Sequence, residues 1–275
     1  MRAEEFLQAG RLKEALAVLE GQVRADPANA KLRIFLFQLL SVLGDWKRAI
    51  NQLNVAAELD AINLLLARAY GSALNCEALR SEIFAGNRSP LVLGEPTEWV
   101  SWLIHSNQLG AQQNYEAARE LREKALEAAP AIPGTINGND FEWLADADSR
   151  LGPVLEAIVD GKYYWVPFTA LKQMRIEAPV SLRDLVWISV HFTWTNGGEA
   201  GGLIPTRYPG SESSQDDALK LARKTEWVEM PGSTSIGLGQ RMLATDQDDF
   251  PLLEIRQIDF GYSQAAESVC EEDDG

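Results

Sequence analysis

Cysteine and histidine are scarce, two of each in 275 residues: Cys76, Cys270, His105 and His191. At these separations they make no CxxC pair, no disulfide framework and no histidine-rich metal centre. No stretch approaches the roughly 18–20 consecutive apolar residues of a membrane-spanning helix, so a membrane is excluded as a partner. Basic side chains are a minority, 25 Lys+Arg against 40 Asp+Glu, for a formal charge of −15. A chain this acidic repels phosphate backbones, and no local basic patch offsets it, which argues against nucleic acid. Part of the acid excess is the tail Glu271-Glu272-Asp273-Asp274, expected to be a solvated end within residues 263–275.

Several catalytic signatures are missing as well. There is no Gly-x-Ser-x-Gly. The glycine-rich stretch at residues 196–202 lacks the Lys-Ser/Thr ending of a phosphate loop and reads as a connection between strands. Gly237-Leu238-Gly239 has no third glycine at the dinucleotide-binding spacing. No cofactor is implied. The opening Met1-Arg2-Ala3-Glu4-Glu5 carries acids where a secretory signal has bases, so the expected location is the cytoplasm.

What is present is a repeat. Phe6, Gly10, Leu12, Ala15 and Asp26 recur 34 residues later as Leu40, Gly44, Trp46, Ala49 and Asp60. That period, with a turn glycine, a bulky residue two positions on and a small Ala three further, is the spacing of tetratricopeptide (TPR) helical hairpins. Pro27 closes the first copy because proline cannot continue a helix. A displaced third copy is legible in Trp102, Tyr115, Ala118, Ala125 and Pro130, and residues 61–85 between them carry helical spacing. The N-terminal region, residues 1–129, is thus expected to be an all-α TPR-like domain.

After a turn-rich connector at residues 130–139 the texture changes to β-branched and aromatic runs punctuated by Gly and Pro. Asp160-Gly161 between two such runs is the strongest hairpin signal. Further strands are expected at 174–178, 185–195, 202–205, 225–230, 240–244 and 252–258, and helix at 141–147, 169–172 and 215–222. The fold class is therefore α+β: helical repeats followed, over residues 140–262, by a domain with a bent antiparallel sheet or partial barrel.

The acids Asp140, Glu142, Asp146 and Asp148 invite a cation. On a helix, however, Asp146 and Asp148 would diverge, and Arg150 beside them would neutralise one, so no metal is expected. Tryptophans (143, 165, 187, 194, 227) and arginines (150, 183, 207, 223, 241) are the richer feature of this half, and both types anchor binding surfaces. Arg183, Asp184, Trp187, Arg207 and Tyr208 lie near strand ends and are its candidate partner-binding residues. In the repeats, Ile34, Gln38 and Val42 fall on the inner face of one hairpin and Leu103 and Asn107 on that of the next. There an amphipathic partner helix could lie, and the acidic charge favours one with basic flanks.

The string Phe141-Glu142-Trp143-Leu144-Ala145-Asp146-Ala147-Asp148-Ser149-Arg150-Leu151-Gly152-Pro153 is the most specific in the chain. With Tyr163-Tyr164-Trp165-Val166-Pro167-Phe168, Leu182-Arg183-Asp184-Leu185-Val186-Trp187, Ile204-Pro205-Thr206-Arg207-Tyr208-Pro209-Gly210, Ala222-Arg223-Lys224-Thr225-Glu226-Trp227 and Gly239-Gln240-Arg241, it resembles the ImpE/SciE family, also called TagJ. These are type VI secretion accessory proteins of Gram-negative bacteria. The resemblance implies a cytoplasmic, non-enzymatic adaptor that contacts the small subunit of the contractile sheath through that subunit's N-terminal helix. The AAA+ unfoldase that recycles contracted sheath is a second implied partner. The alternative reading, from another class, is an enzyme with a carboxylate and arginine site around Asp146, Asp148, Arg183 and Arg207; a purely structural oligomer is a third.

Overall fold

The computed structural model describes residues 2–95 and 97–261; Cys270 and the acidic tail lie outside them. Three helical hairpins and one long helix open the chain. They are α1 (Ala3–Gln8) with α2 (Leu12–Ala25), α3 (Ala30–Val42) with α4 (Trp46–Leu59), the single α5 (Leu64–Phe84), and, after the short strand β1 (Leu91–Val92), α6 (Glu98–Ala111) with α7 (Tyr115–Ala128).

The repeat is visible as hydrogen bonds. Gly10 at φ +70° donates to Leu7 O while Arg11 N donates to Phe6 O. Gly44 at φ +74° donates to Ser41 O while Asp45 N donates to Leu40 O. Each is a left-handed residue that ends one helix and satisfies its last carbonyls. In the third hairpin the same two bonds are made by Gln113 and Asn114, with Gln113 at φ +64°. A residue with a Cβ has taken the place of the turn glycine.

The strands follow: β2 (Gly134–Ile136), β3 (Asn139–Phe141), β4 (Leu144–Asp146), β5 (Val154–Val159), β6 (Lys162–Pro167), β7 (Leu171–Ile176), β8 (Trp187–Trp194) and β9 (Glu199–Pro205). The short helix α8 (Asp217–Lys220) precedes β10 (Thr225–Met230), β11 (Thr234–Gly239), β12 (Met242–Thr245), β13 (Asp249–Pro251) and β14 (Gln257–Phe260). Nine of them form one sheet in the order β1-β6-β5-β9-β8-β7-β14-β2-β3, and no pairing joins its two edges, so it is open. All pairs in it are antiparallel except β1 with β6. The hairpin β10–β11 and the sheet β13-β12-β4 stand apart. Asp160-Gly161 closes β5 to β6 with both residues at positive φ, as a two-residue hairpin turn requires.

The nine-stranded sheet separates two cores. Alternation along β5 sends Val154, Glu156 and Ile158 to one face and Leu155, Ala157 and Val159 to the other. Val154 and Ile158 join Tyr163, Trp165 and Trp187 in one continuous apolar cluster with Leu19, Leu40, Leu53, Leu74 and Leu103 of the helices. Leu155, Ala157 and Val159 join Met174, Phe192, Leu243 and Ile258 behind the sheet. The helices therefore share their core with the sheet.

Three expectations are corrected. Residues 141–147 are not helical: Phe141 ends β3, and β4 pairs Leu144–Asp146 against β12. The Glu-Leu-Ala composition favours helix locally, but strand pairing and the burial of Leu144 outweigh propensity. At 169–172 only a single 3-10 turn, Phe168–Ala170, precedes β7. Part of the stretch at 130–139 is itself sheet, since β2 pairs with β14 and buries Ile136.

Candidate partner-binding surface

The predicted inner groove of the repeats is filled by the chain's own second half. Val42 and Leu103 are buried in the shared core, and Ile34 is half-buried against it, with Gln38 half-buried nearby. Trp187 of β8 sits between two helices, its ring centroid 5.8 Å from Trp46 and 6.1 Å from Tyr70. Its indole N–H donates to Glu77 Oε1 at 2.7 Å. Asn107 donates through Nδ2 to Arg150 O at 3.0 Å, so it too faces the second half.

The second-half candidates also turn inward. Arg207 is 3% exposed and donates to Val42 O at 2.7 Å, to Ser41 O at 3.3 Å and to Lys220 O. Its positive charge thus lies at the C-termini of α3 and α8, where the helix dipoles are negative. Burial lowers its pKa to about 10. Tyr208 is fully buried; its hydroxyl bonds to Asp146 Oδ1 at 3.0 Å and accepts from Met242 N at 3.0 Å. Asp184 is buried as a cap, accepting from Val180 N at 2.9 Å and Ser181 N at 2.7 Å. Arg183 alone keeps appreciable exposure, its guanidinium 5.0 Å from the Tyr70 ring centroid.

Around these residues runs a buried ionic chain. Arg80 on α5 donates to Glu156 through Nε at 2.6 Å and Nη2 at 2.9 Å. Glu156 also accepts from Arg241 and Tyr163, and Arg241 continues to Asp146. Burial alone would raise Glu156, but the guanidiniums of Arg80 and Arg241 bring it down to about 2. Burial raises Asp146 to about 6 against the pull of Arg241. Asp148 is bonded by Arg150 at 2.9 and 2.6 Å and by Gly237 N at 3.0 Å. The residues of the enzyme reading are thus occupied by ion pairs and helix ends rather than gathered around an open site. Among the described residues, no three His, Cys, Asp or Glu side chains are placed to hold a metal ion.

Exposed apolar surface lies elsewhere, where sequence reasoning did not look. Between α4 and α5, Leu59 is 43% exposed, Ile62 81%, Leu64 52% and Leu65 77%. Four large apolar side chains are thus exposed within seven residues of chain, and exposed apolar surface of this kind marks contact sites. Exposed Glu58 and Asp60 border it, with Arg68 one turn along α5. The sequence signal was present: a run of three leucines, Leu64-Leu65-Leu66, at the head of a helix lacking a hairpin partner.

The geometry defines the class as a TPR-like helical array fused through a common core to an open α+β sheet domain. A family model described as ImpE protein matches residues 138–259, and a tetratricopeptide repeat model matches residues 6–61. The chain is 50% identical over 260 residues to the type VI secretion system accessory component TagJ of Pseudomonas aeruginosa, covering 94% of this chain and 91% of that protein. A crystal structure of protein VPA1032 from Vibrio parahaemolyticus superposes with a TM-score of 0.86 at 28% identity, over 96% of this chain and 99% of that one. The chain belongs to the ImpE/TagJ family, as its C-terminal motifs indicated. No helix among the described residues is long and apolar enough to cross a membrane.

Proposed function

We propose that the protein is a cytoplasmic, non-enzymatic adaptor of a type VI secretion system, holding the N-terminal helix of the small sheath subunit. Relationship to an accessory component supports the system, and the repeat array supports recognition of a helix. The observation that carries the reading is the exposed patch of Leu59, Ile62, Leu64 and Leu65. An amphipathic helix laid there would bury its apolar stripe on the patch while basic flanks meet Glu58 and Asp60. The proposed seat thus moves from the inner face of the repeats to the junction of α4 and α5. The sheath-recycling unfoldase is the next partner to try.

Calorimetric titration with the sheath-subunit helix tests this, using wild type and the Ile62→Ser/Leu65→Ser double variant. Binding by wild type that the double variant loses supports both partner and seat. Equal binding by the two proteins rejects the seat, and no binding by wild type rejects the partner.

A further inference from the structure

A second surface feature has a different chemistry. The β10–β11 hairpin folds over the α6–α7 turn and leaves a partly open cleft of about 150 Å³, walled by Phe84, Gly110, Ala118, Met230 and Ile236. Small residues on the helices leave the room: a Cβ built on Gly110 meets only Ala118 Cβ, at 3.9 Å. A space of this size accepts one aromatic ring or one leucine side chain.

Two guanidiniums also line it, Arg122 and Arg150. Arg122 is 6% exposed, yet its hydrogen bonds go to Thr234 Oγ1 at 2.7 Å, Gly232 O at 2.8 Å and Ser233 O at 3.0 Å, all uncharged. Asp148 and Glu123, whose charges reach it, are bonded to Arg150 and Arg119. Among the described residues Arg122 has no carboxylate of its own, and neither Arg122 Nε nor Arg150 Nη1 has a hydrogen-bond partner. A buried cation without a counter-charge is costly. The contrast is with Arg207, more deeply buried and also bonded to carbonyls, but set against two helix C-termini. The acceptors of Arg122 belong to a hairpin turn and supply no such dipole.

We propose that this cleft binds an organic carboxylate with a small apolar body, the ring or branched chain filling the apolar walls and the carboxylate reaching Arg122. The chemistry is shared by a free aromatic or aliphatic acid and by the C-terminus of a polypeptide ending in a large apolar residue.

The test is titration of the full chain, by calorimetry and amide chemical shifts, with four probes: phenylacetate, phenylacetamide, a short peptide ending in a free leucine carboxylate, and the same peptide amidated. Phenylacetate or the free peptide is expected to saturate, with its amide at least about tenfold weaker because a charge-assisted bond is lost. Arg122→Gln, which retains a donor for the hairpin, should cost a similar factor. Gly110→Leu should fill the space and abolish binding while leaving the circular dichroism unchanged. Tighter binding of phenylacetate points to a free acid, and tighter binding of the free peptide to a chain terminus. Failure of both acids to bind, equal binding of acid and amide, or unaltered binding in Gly110→Leu would each overturn the proposal.

Discussion

Arg207 Nη1 donates to the carbonyl of Val42 at 2.7 Å across 165 positions of sequence. Two further contacts cap helix ends of the first half with side chains of the second. Arg223 donates to Leu7 O at 2.8 Å and Gln8 O at 3.1 Å, at the end of α1, and Asp217 Oδ2 accepts from Leu12 N at 3.0 Å, at the start of α2. Cations from the second half cap helix C-termini and an anion caps an N-terminus, each in the sense the dipole favours.

Removing the first tie should therefore be expensive. Arg207→Ala leaves the carbonyls of Val42 and Lys220 short of a donor, and we expect a loss of about 3 kcal/mol in urea unfolding. Arg207→Lys should recover part of it, since one ammonium reaches fewer of the acceptors. Arg223→Ala, at an exposed position, should cost about 1 kcal/mol or less.

The third repeat's turn offers a gain. Gln113 holds a left-handed conformation with a Cβ, so Gln113→Gly should stabilise by about 0.5–1 kcal/mol. Gly44→Ala should destabilise by more than that, because its Cβ would also meet Glu212 Cγ at 2.6 Å. Thermal melts of the two variants should move in opposite directions.

Stability should follow pH through two carboxylates of opposite sign. Glu156 goes from 4.5 to about 2 on folding, so its contribution is complete above pH 4.5 and is lost as pH falls from there towards 2. Asp146 goes from 3.8 to about 6, so the native state binds its proton more tightly and stability from this group falls as pH rises from 3.8 to 6. Urea midpoints against pH should accordingly lose their acid limb in Glu156→Gln and flatten between about pH 4 and 6 in Asp146→Asn. Glu156→Gln should also cost about 3–5 kcal/mol at neutral pH by leaving Arg80 and Arg241 under-compensated.

Stability and binding should separate cleanly between the two apolar surfaces. Val42→Asp places an unpaired carboxylate in the shared core, and we expect a loss of about 4 kcal/mol or more in urea unfolding, a large share of the stability of an ordinary domain. Ile62→Ser/Leu65→Ser should remain within about 0.5 kcal/mol per site of wild type, as exposed substitutions generally do. Equal destabilisation by both would show that the patch is packed in solution.

Much of this was legible locally. The 34-residue period fixed the hairpins because Gly10 and Gly44 are required by a left-handed φ that few residues adopt. Asp160-Gly161 fixed a hairpin for the same reason. The C-terminal motifs carried the family through residues now seen to be structural. Gly239 is one, since it holds a left-handed φ and a Cβ there would lie 2.1 Å from Lys224 O. What failed were readings that depended on environment. Residues 141–147 have helical composition, and only pairing with β12 makes Leu144–Asp146 a strand. The inner-face residues of the repeats have the right spacing for a groove, and only the seating of Trp187, Arg207 and the sheet against them closes it.

The sequence by itself determined what neighbouring residues enforce: turn geometry, helical periodicity and the order of helical repeats before a strand-rich region. Tertiary structure decided which apolar face is core and which is surface, because burial depends on what the other half of the chain brings to it. It also decided the fate of the arginines, whose partners are carbonyls and carboxylates far away in sequence. A guanidinium looks the same in a sequence whether it caps a helix, neutralises a buried carboxylate or lines an apolar cleft with none.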